Sequence, residues 1–390
     1  MGSLAVVIIG CSSSPGASTS SEAASGDPAP AASTALPAAT PSDSPVSPVP
    51  SISAPSDAPP SAAPTGSSPA SSPSSSISIA PATQVSWQQL DQGDSPPARS
   101  DHTWTVDGDG TAAWLFGGTS DASPFEDLWR YDLAADQWRR IEPAGDRPPA
   151  RFGHVAAWVD GIGLVIWSGQ AGDDFFNDLW AFDPTAEAWS RLPDGGAVPA
   201  ARYGSCGAVG PDGRLWISHG FTDSGRFDDT RAYDFAAGQW TEIVPVGERP
   251  IKRCLHDCLW TPDGRFLLYA GQTDGEPALG DLWSLDPTSA AWTRQDRPEP
   301  EARQLYALAT VDSTAFVFGG ADADRRRLDS LFVLDLDAEE WREAEPAGRS
   351  PAGRSGAALI ADPDRERLLL YGGTGTDETL GDLWQLDPAG

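Results

Sequence analysis

Lysine is almost missing from this sequence. Lys252 is the only one among 390 residues, and there are only one methionine, four histidines and four cysteines. The first 85 residues lack Lys, Arg, Trp, Tyr and Phe altogether and are mostly Ser, Ala and Pro, so all 16 tryptophans lie from Trp87 onward. A stretch of that composition cannot bury a core. Cations are outnumbered throughout: 26 Lys and Arg against 56 Asp and Glu leave a formal charge of −30. Such a surface repels phosphate backbones and excludes nucleic acid as a partner, and it disfavours contact between the folded part and an anionic bilayer. No apolar run is long enough to span a membrane. A nucleophile elbow, a phosphate loop and a paired zinc motif are all missing, so no catalytic residue and no cofactor is assigned.

What is present divides into three parts. Residues 1–11 read MGSLAVVIIGC, a short apolar run ending in Ile8-Ile9-Gly10-Cys11. It resembles a bacterial lipobox, and the resemblance implies cleavage before Cys11 and lipidation of that cysteine. Residues 12–85 are expected to be a disordered tether, with a mean reach of roughly 45–50 Å by flexible-coil scaling. Together they predict an extracytoplasmic domain, residues 86–390, lipid-anchored to a bacterial cell membrane.

That domain is a repeat. Arg99, Arg151, Arg202, Arg253, Arg303 and Arg354 recur at spacings of 52, 51, 51, 50 and 51. In phase with them runs a glycine pair or its remnant: Gly117-Gly118, Ser168-Gly169, His219-Gly220, Ala270-Gly271, Gly319-Gly320 and Gly372-Gly373. Asp-Leu-Trp follows at Asp127, Asp178, Asp281 and Asp382, with divergent copies at Asp229 and Asp329, and then Trp138, Trp189, Trp240, Trp292 and Trp341. Four anchors in phase at one period signal a repeat architecture. Within each unit, short β-branched or aromatic runs bounded by Gly, Asp and Pro make four strands and no helix. Four-stranded antiparallel sheets repeated radially form a β-propeller.

These motifs resemble the kelch family, in the galactose oxidase/kelch superfamily, from Trp87 to the C-terminus. The fold class expected is therefore all-β, a six-bladed kelch propeller with four antiparallel strands per blade. The last unit stops three strands in, at Asp387. Trp87-Gln88-Gln89-Leu90 copies the missing fourth strand, so residues 87–90 should complete the sixth blade beside Asp382–Leu386 and close the ring.

Consecutive turns of a meander lie at opposite ends of its sheet. The inter-blade connections that carry the six arginines thus share a face with the loops between second and third strands. In kelch propellers that face binds partners, and the resemblance implies ligand contacts at Arg99, Arg151, Phe152, Arg202, Tyr203, Arg253, Arg303, Tyr306 and Arg354. The arginines have a second reading. Asp127, Asp178, Asp229, Asp281, Asp329 and Asp382 recur on the same face, and six Arg–Asp pairs would be architecture. Function then lies in what varies: Phe152, Tyr203, Gln304, Tyr306, the acidic loops, and Arg325-Arg326-Arg327 in blade five. His102, His154 and His256 sit at equivalent positions and either converge on a metal or are hydrogen-bonded strand residues. Cys206 is placed to bridge either Cys258 or Cys254. The function expected is a monomeric binding module for a protein or glycan outside the cell. The alternative is a carbohydrate-active kelch enzyme such as a sugar mutarotase or epimerase.

Overall fold

A computed structural model describes residues 83–121, 123–296 and 300–388. Cys11, the segment 1–11 and the linker up to residue 82 lie outside the described residues. Six antiparallel four-stranded meanders follow one another along the chain. Blade one is Thr103–Val106, Ala112–Phe116, Leu128–Asp132 and Gln137–Ile141. Blade two is Val155–Val159, Gly163–Trp167, Leu179–Asp183 and Ala188–Arg191. Blade three is Cys206–Val209, Leu215–Ser218, Thr230–Asp234 and Gln239–Ile243. Blade four is Asp257–Trp260, Phe266–Thr273, Glu276–Asp286 and Ala291–Arg294. Blade five is Ala307–Val311, Thr314–Phe318, Leu331–Asp335 and Glu340–Ala347. Blade six takes Ala358–Asp362, Arg367–Thr374 and Thr379–Asp387 from the C-terminus and Thr83–Leu90 from the other end.

The closing strand pairs as its sequence foretells, with Trp87 opposite Leu386 and Leu90 opposite Leu383. It also starts earlier than expected. Thr83–Ser86 continue the strand and run parallel to Ala344–Ala347 of blade five, joining blades five and six into one eight-stranded sheet. The last three residues assigned to the linker, Thr83–Val85, therefore belong to the propeller, and Val85 is fully buried.

Each second strand is flanked by blades on both faces, so it is apolar on both: Ala112–Phe116 and Gly163–Trp167 are buried at every position. Outer strands are largely exposed, and Gln137–Ile141 buries only Trp138 and Ile141. The core is correspondingly a set of seams. In each apolar cluster, side chains of two neighbouring blades meet, as where Trp138 and Trp104 pack on Tyr371 of blade six.

Two collars of backbone hydrogen bonds tie the blades around the channel. In the first, the N–H groups of Asp101, Gly153, Gly204, Leu255, Leu305 and Gly356 each donate to the preceding blade's member, at 2.8–3.0 Å, and Asp101 closes the circle on Gly356. In the second, Gly118, Gly169, Gly220, Gly271, Gly320 and Gly373 donate to the carbonyls of Arg151, Arg202, Arg253, Arg303, Arg354 and Arg99. A closed cycle of one bond per boundary fixes the blade number at six.

The second collar also explains the uneven glycine doublet. Its first member has φ between 57° and 69°, ordinary left-handed backbone, and tolerates Ser168, His219 and Ala270. Its second member has φ of 93–116°. A Cβ on Gly118 there would sit 2.7 Å from His102 Cβ and 2.8 Å from the Ser100 carbonyl, so glycine never gives way.

Candidate functional site

The arginines belong to the framework. All six are 0–1 % exposed. In blade one, Arg99 Nε donates to the Pro97 carbonyl and Nη1 to the Gly117 carbonyl, while Nη1 and Nη2 grip Asp127 at 2.7 and 2.8 Å. Arg151–Asp178, Arg202–Asp229, Arg253–Asp281 and Arg354–Asp382 repeat the fork. Trp129, Trp180, Trp283 and Trp384 donate their indole N–H to the same carboxylates, and in blade three Arg231 replaces the indole at 2.8 Å. Burial alone would raise the Asp127 carboxyl. The hydrogen bonds and charge of Arg99, with the Trp129 N–H, hold it below the usual range instead.

Blade five departs from the expected pairing. Arg303 reaches Ser330 Oγ at 3.2 Å and Glu301 Oε1 at 3.3 Å, and Asp329 takes no part. Alignment on the acidic residue was one position early, because Ser330 is the structural equivalent of Asp127. With these donors turned inside the blades, the six guanidiniums hold the loop face together.

The histidines are seam residues as well. His102 packs edge-on to Tyr371, His154 to Phe116 and His256 to His219, each at a different blade boundary. His154 Nε2 lies 2.8 Å from Thr103 Oγ1. They do not converge, and among the described residues no group of three His, Cys, Asp or Glu could hold a metal. Burial, then the nearby Arg99 charge, pushes His102 down to about 3. Tyr306 likewise turns inward: its hydroxyl donates to the Tyr269 carbonyl at 2.7 Å and accepts the Asp257 N–H at 2.8 Å. Cys206 is bridged to Cys258 across the seam of blades three and four, Cα atoms 5.6 Å apart, while Cys254 is buried with Gln272 Nε2 3.6 Å from its sulfur.

What varies is concentrated at the channel mouth on the loop face. The residue after each arginine, Ser100, Phe152, Tyr203, Cys254, Gln304 or Ser355, bridges the residue after each glycine doublet, Thr119, Gln170, Phe221, Gln272, Ala321 or Thr374. Blades two and three fill these positions with aromatics. Phe152 and Tyr203 are half-buried and meet edge-on at 5.5 Å, with Tyr203 lying across Gly153. Phe175 and Phe221, from the hairpins above, approach to 6.2 Å. Sequence reasoning missed Phe175 and Phe221, although both lie in the acidic second-to-third-strand loops, beside Asp173, Asp174 and Asp223.

Below the mouth the channel holds a cavity of about 320 Å³ lined by Asp101, Tyr203, Asp257 and the innermost strands. Burial raises Asp101 to about 6, against the opposing Ser100 hydrogen bond and Arg327 charge. It raises Asp257 to about 7, against the Cys258 N–H. Asp257 carried a legible signal: the other blades place Thr103, Val155, Cys206, Ala307 and Ala358 at its position. Between its ordinary 3.8 and about 7 the folded state binds the extra proton, so its stabilising share is full below 3.8 and disappears as pH rises through 7. Asp257→Asn should therefore raise the Tm above pH 7 and leave it nearly unchanged below pH 4, read by calorimetry at both ends.

A ring of six four-stranded blades, five of them locked by a buried Arg–Asp fork and all six carrying the strained second glycine of the doublet, defines a kelch-type β-propeller. The chain belongs to that family: the KLHDC2/KLHL20/DRC7 Kelch-repeats domain matches residues 66–266 and 247–390. It is similar to kelch domain-containing protein 2 of Bos taurus, 29% identical over 306 residues, covering 67% of this chain and 73% of that protein. The leucine-zipper-like transcriptional regulator 1 homolog of Drosophila melanogaster is 27% identical over 297 residues, 71% of this chain. The chain spans only 29% of that regulator's length. The N-(sulfonatooxy)prop-2-enimidothioate sulfolyase of Thlaspi arvense is 24% identical over 334 residues, 76% of this chain and 94% of that protein.

Proposed function

We propose that the propeller is a protein-interaction module, displayed outside the cell on a lipid-anchored tether, whose docking site is the channel mouth on the loop face. One observation carries the site: framework positions repeat in every blade, whereas Phe152 and Tyr203 stand half-exposed where other blades have Ser, Cys or Gln. Binding energy concentrates in such anchors. The Cys206–Cys258 bridge supports an oxidising compartment, and the lipobox at Cys11 supplies the anchor. Phe152→Ala with Tyr203→Ala should weaken partner binding by about 2 kcal/mol or more without unfolding the ring. Crosslinking in cells from photoreactive residues at 152 and 203, against one at Asp109 on the opposite face, reads this directly. Labelled palmitate incorporated by the full chain and lost in Cys11→Ser tests the tether; equal labelling of both would remove it.

A glycan is the other ligand the aromatic pair suits. A second reading, a carbohydrate-active enzyme, draws on Asp101 and Asp257, whose carboxyls titrate near neutrality inside the channel, where a general acid or base works best. The sulfolyase relative keeps enzymatic use of this fold in view.

A further inference from the structure

We infer that the loop face over blades two to four receives a basic protein segment, its Lys or Arg side chains lying against the Phe152, Tyr203, Phe175 and Phe221 rings and beneath the acidic loop tips. This rests on the docking reading above and gives the partner its chemistry.

Two independent features meet there. The first is the aromatic floor: two edge-on ring pairs, half-buried, from the mouth strands and the hairpins of blades two and three. Their faces attract cations. The protein already uses these hairpins so, holding Arg226 5.6 Å from the Phe221 ring. The second is uncompensated charge. Asp173, Asp174 and Asp223 stand exposed at the hairpin tips above the rings, and none forms an ion pair among the described residues. Glu276 is exposed on the next loop, whereas Asp274 is taken by Arg226 and Asp228 by Arg249.

Blade five brings cations to the same face. Arg325 is exposed, Arg326 is held by Asp322 at 2.7 Å, and Arg327 lies close enough to Asp101 to oppose the rise in its pKa. The face is thus uneven: exposed carboxylates stand at the tips over blades two to four, whereas blade five sets Arg325, Arg326 and Arg327 among Asp322, Asp324 and Asp329. A partner segment placed by charge complementarity sets its basic residues over the aromatic floor and turns any acidic residue towards Arg325. An acidic segment would instead meet the exposed carboxylates at the tips of three blades.

The test uses the full chain and three pools of short fluorescent peptides carrying aromatic residues, one rich in Lys and Arg, one in Asp and Glu, one uncharged. Anisotropy should show the basic pool binding tightest, with affinity falling as ionic strength rises. Asp173→Asn, Asp174→Asn and Asp223→Asn together should weaken it about tenfold, and Arg325→Glu should strengthen it. The charge-matched control, Asp109→Asn, Asp160→Asn and Asp337→Asn on the opposite face, should change it by less than about twofold. Equal losses from both triple variants would make the binding a property of net charge and overturn the inference. Preference for the acidic or uncharged pool, lost in Phe152→Ala with Tyr203→Ala, overturns it too but leaves the docking site standing. Binding of no pool overturns the inference, and crosslinking from residue 203 then decides separately whether the docking site survives.

Discussion

Arg151→Met is expected to destabilise the propeller by about 3–5 kcal/mol, the range for removing one partner of a buried ion pair. The residue is fully buried, and four acceptors depend on it: the Pro149 and Ser168 carbonyls and both oxygens of Asp178. Methionine fills much the same volume, so the loss reports the stranded charge and not a cavity. Adding Asp178→Leu should recover a large part of it, because neither charge is then left buried alone. Arg303→Met should cost less. Its carboxylate partner, Glu301, is 48 % exposed and can turn to water once the guanidinium is gone. Denaturant unfolding of the three variants measures all of this. A loss at Arg151 below about 1 kcal/mol, the level of a surface pair, would return the arginines to the list of ligand contacts.

Reduction of the Cys206–Cys258 bridge should have an effect of the same order. It closes a loop of 52 residues, and the chain-entropy model assigns such a loop about 4 kcal/mol at 25 °C. The bridge joins innermost strands of adjacent blades, so its loss should loosen the channel wall between blades three and four first. Cys258→Ser should lower the Tm and make it insensitive to reductant, whereas Cys254→Ala should keep the reductant effect intact. Calorimetry with and without reductant gives the answer. Hydrogen exchange at Gly204 and Leu255, whose collar bond crosses that seam at 2.9 Å, locates it. A Tm unmoved by reductant in the unsubstituted chain would mean that the collars alone hold this seam.

The sequence was enough for the repeat, the strand count and the closure. Each depends on spacing along the chain: a period near fifty carries the blade, and the stray Trp87 strand matches the one missing at Asp387. The arginine–aspartate pairing was also legible, since both recur in every unit. Its one failure, Asp329 for Ser330, came from reading a residue type where the register decides. Tertiary structure alone determined the rest. Thr83–Ser86 became strand only because blade five offered an open edge beside blade six. His102, His154 and His256 shared a position open to convergence on a metal or to hydrogen bonding within the strand, yet the wedge shape of the blades sends each into its own seam, where burial keeps them neutral. Asp101 and Asp257 lie 156 positions apart and became a pair of raised carboxyls only when the ring closed on one channel. Local spacing specifies what repeats; desolvation and charge at the centre depend on six blades meeting, and no single unit contains that information.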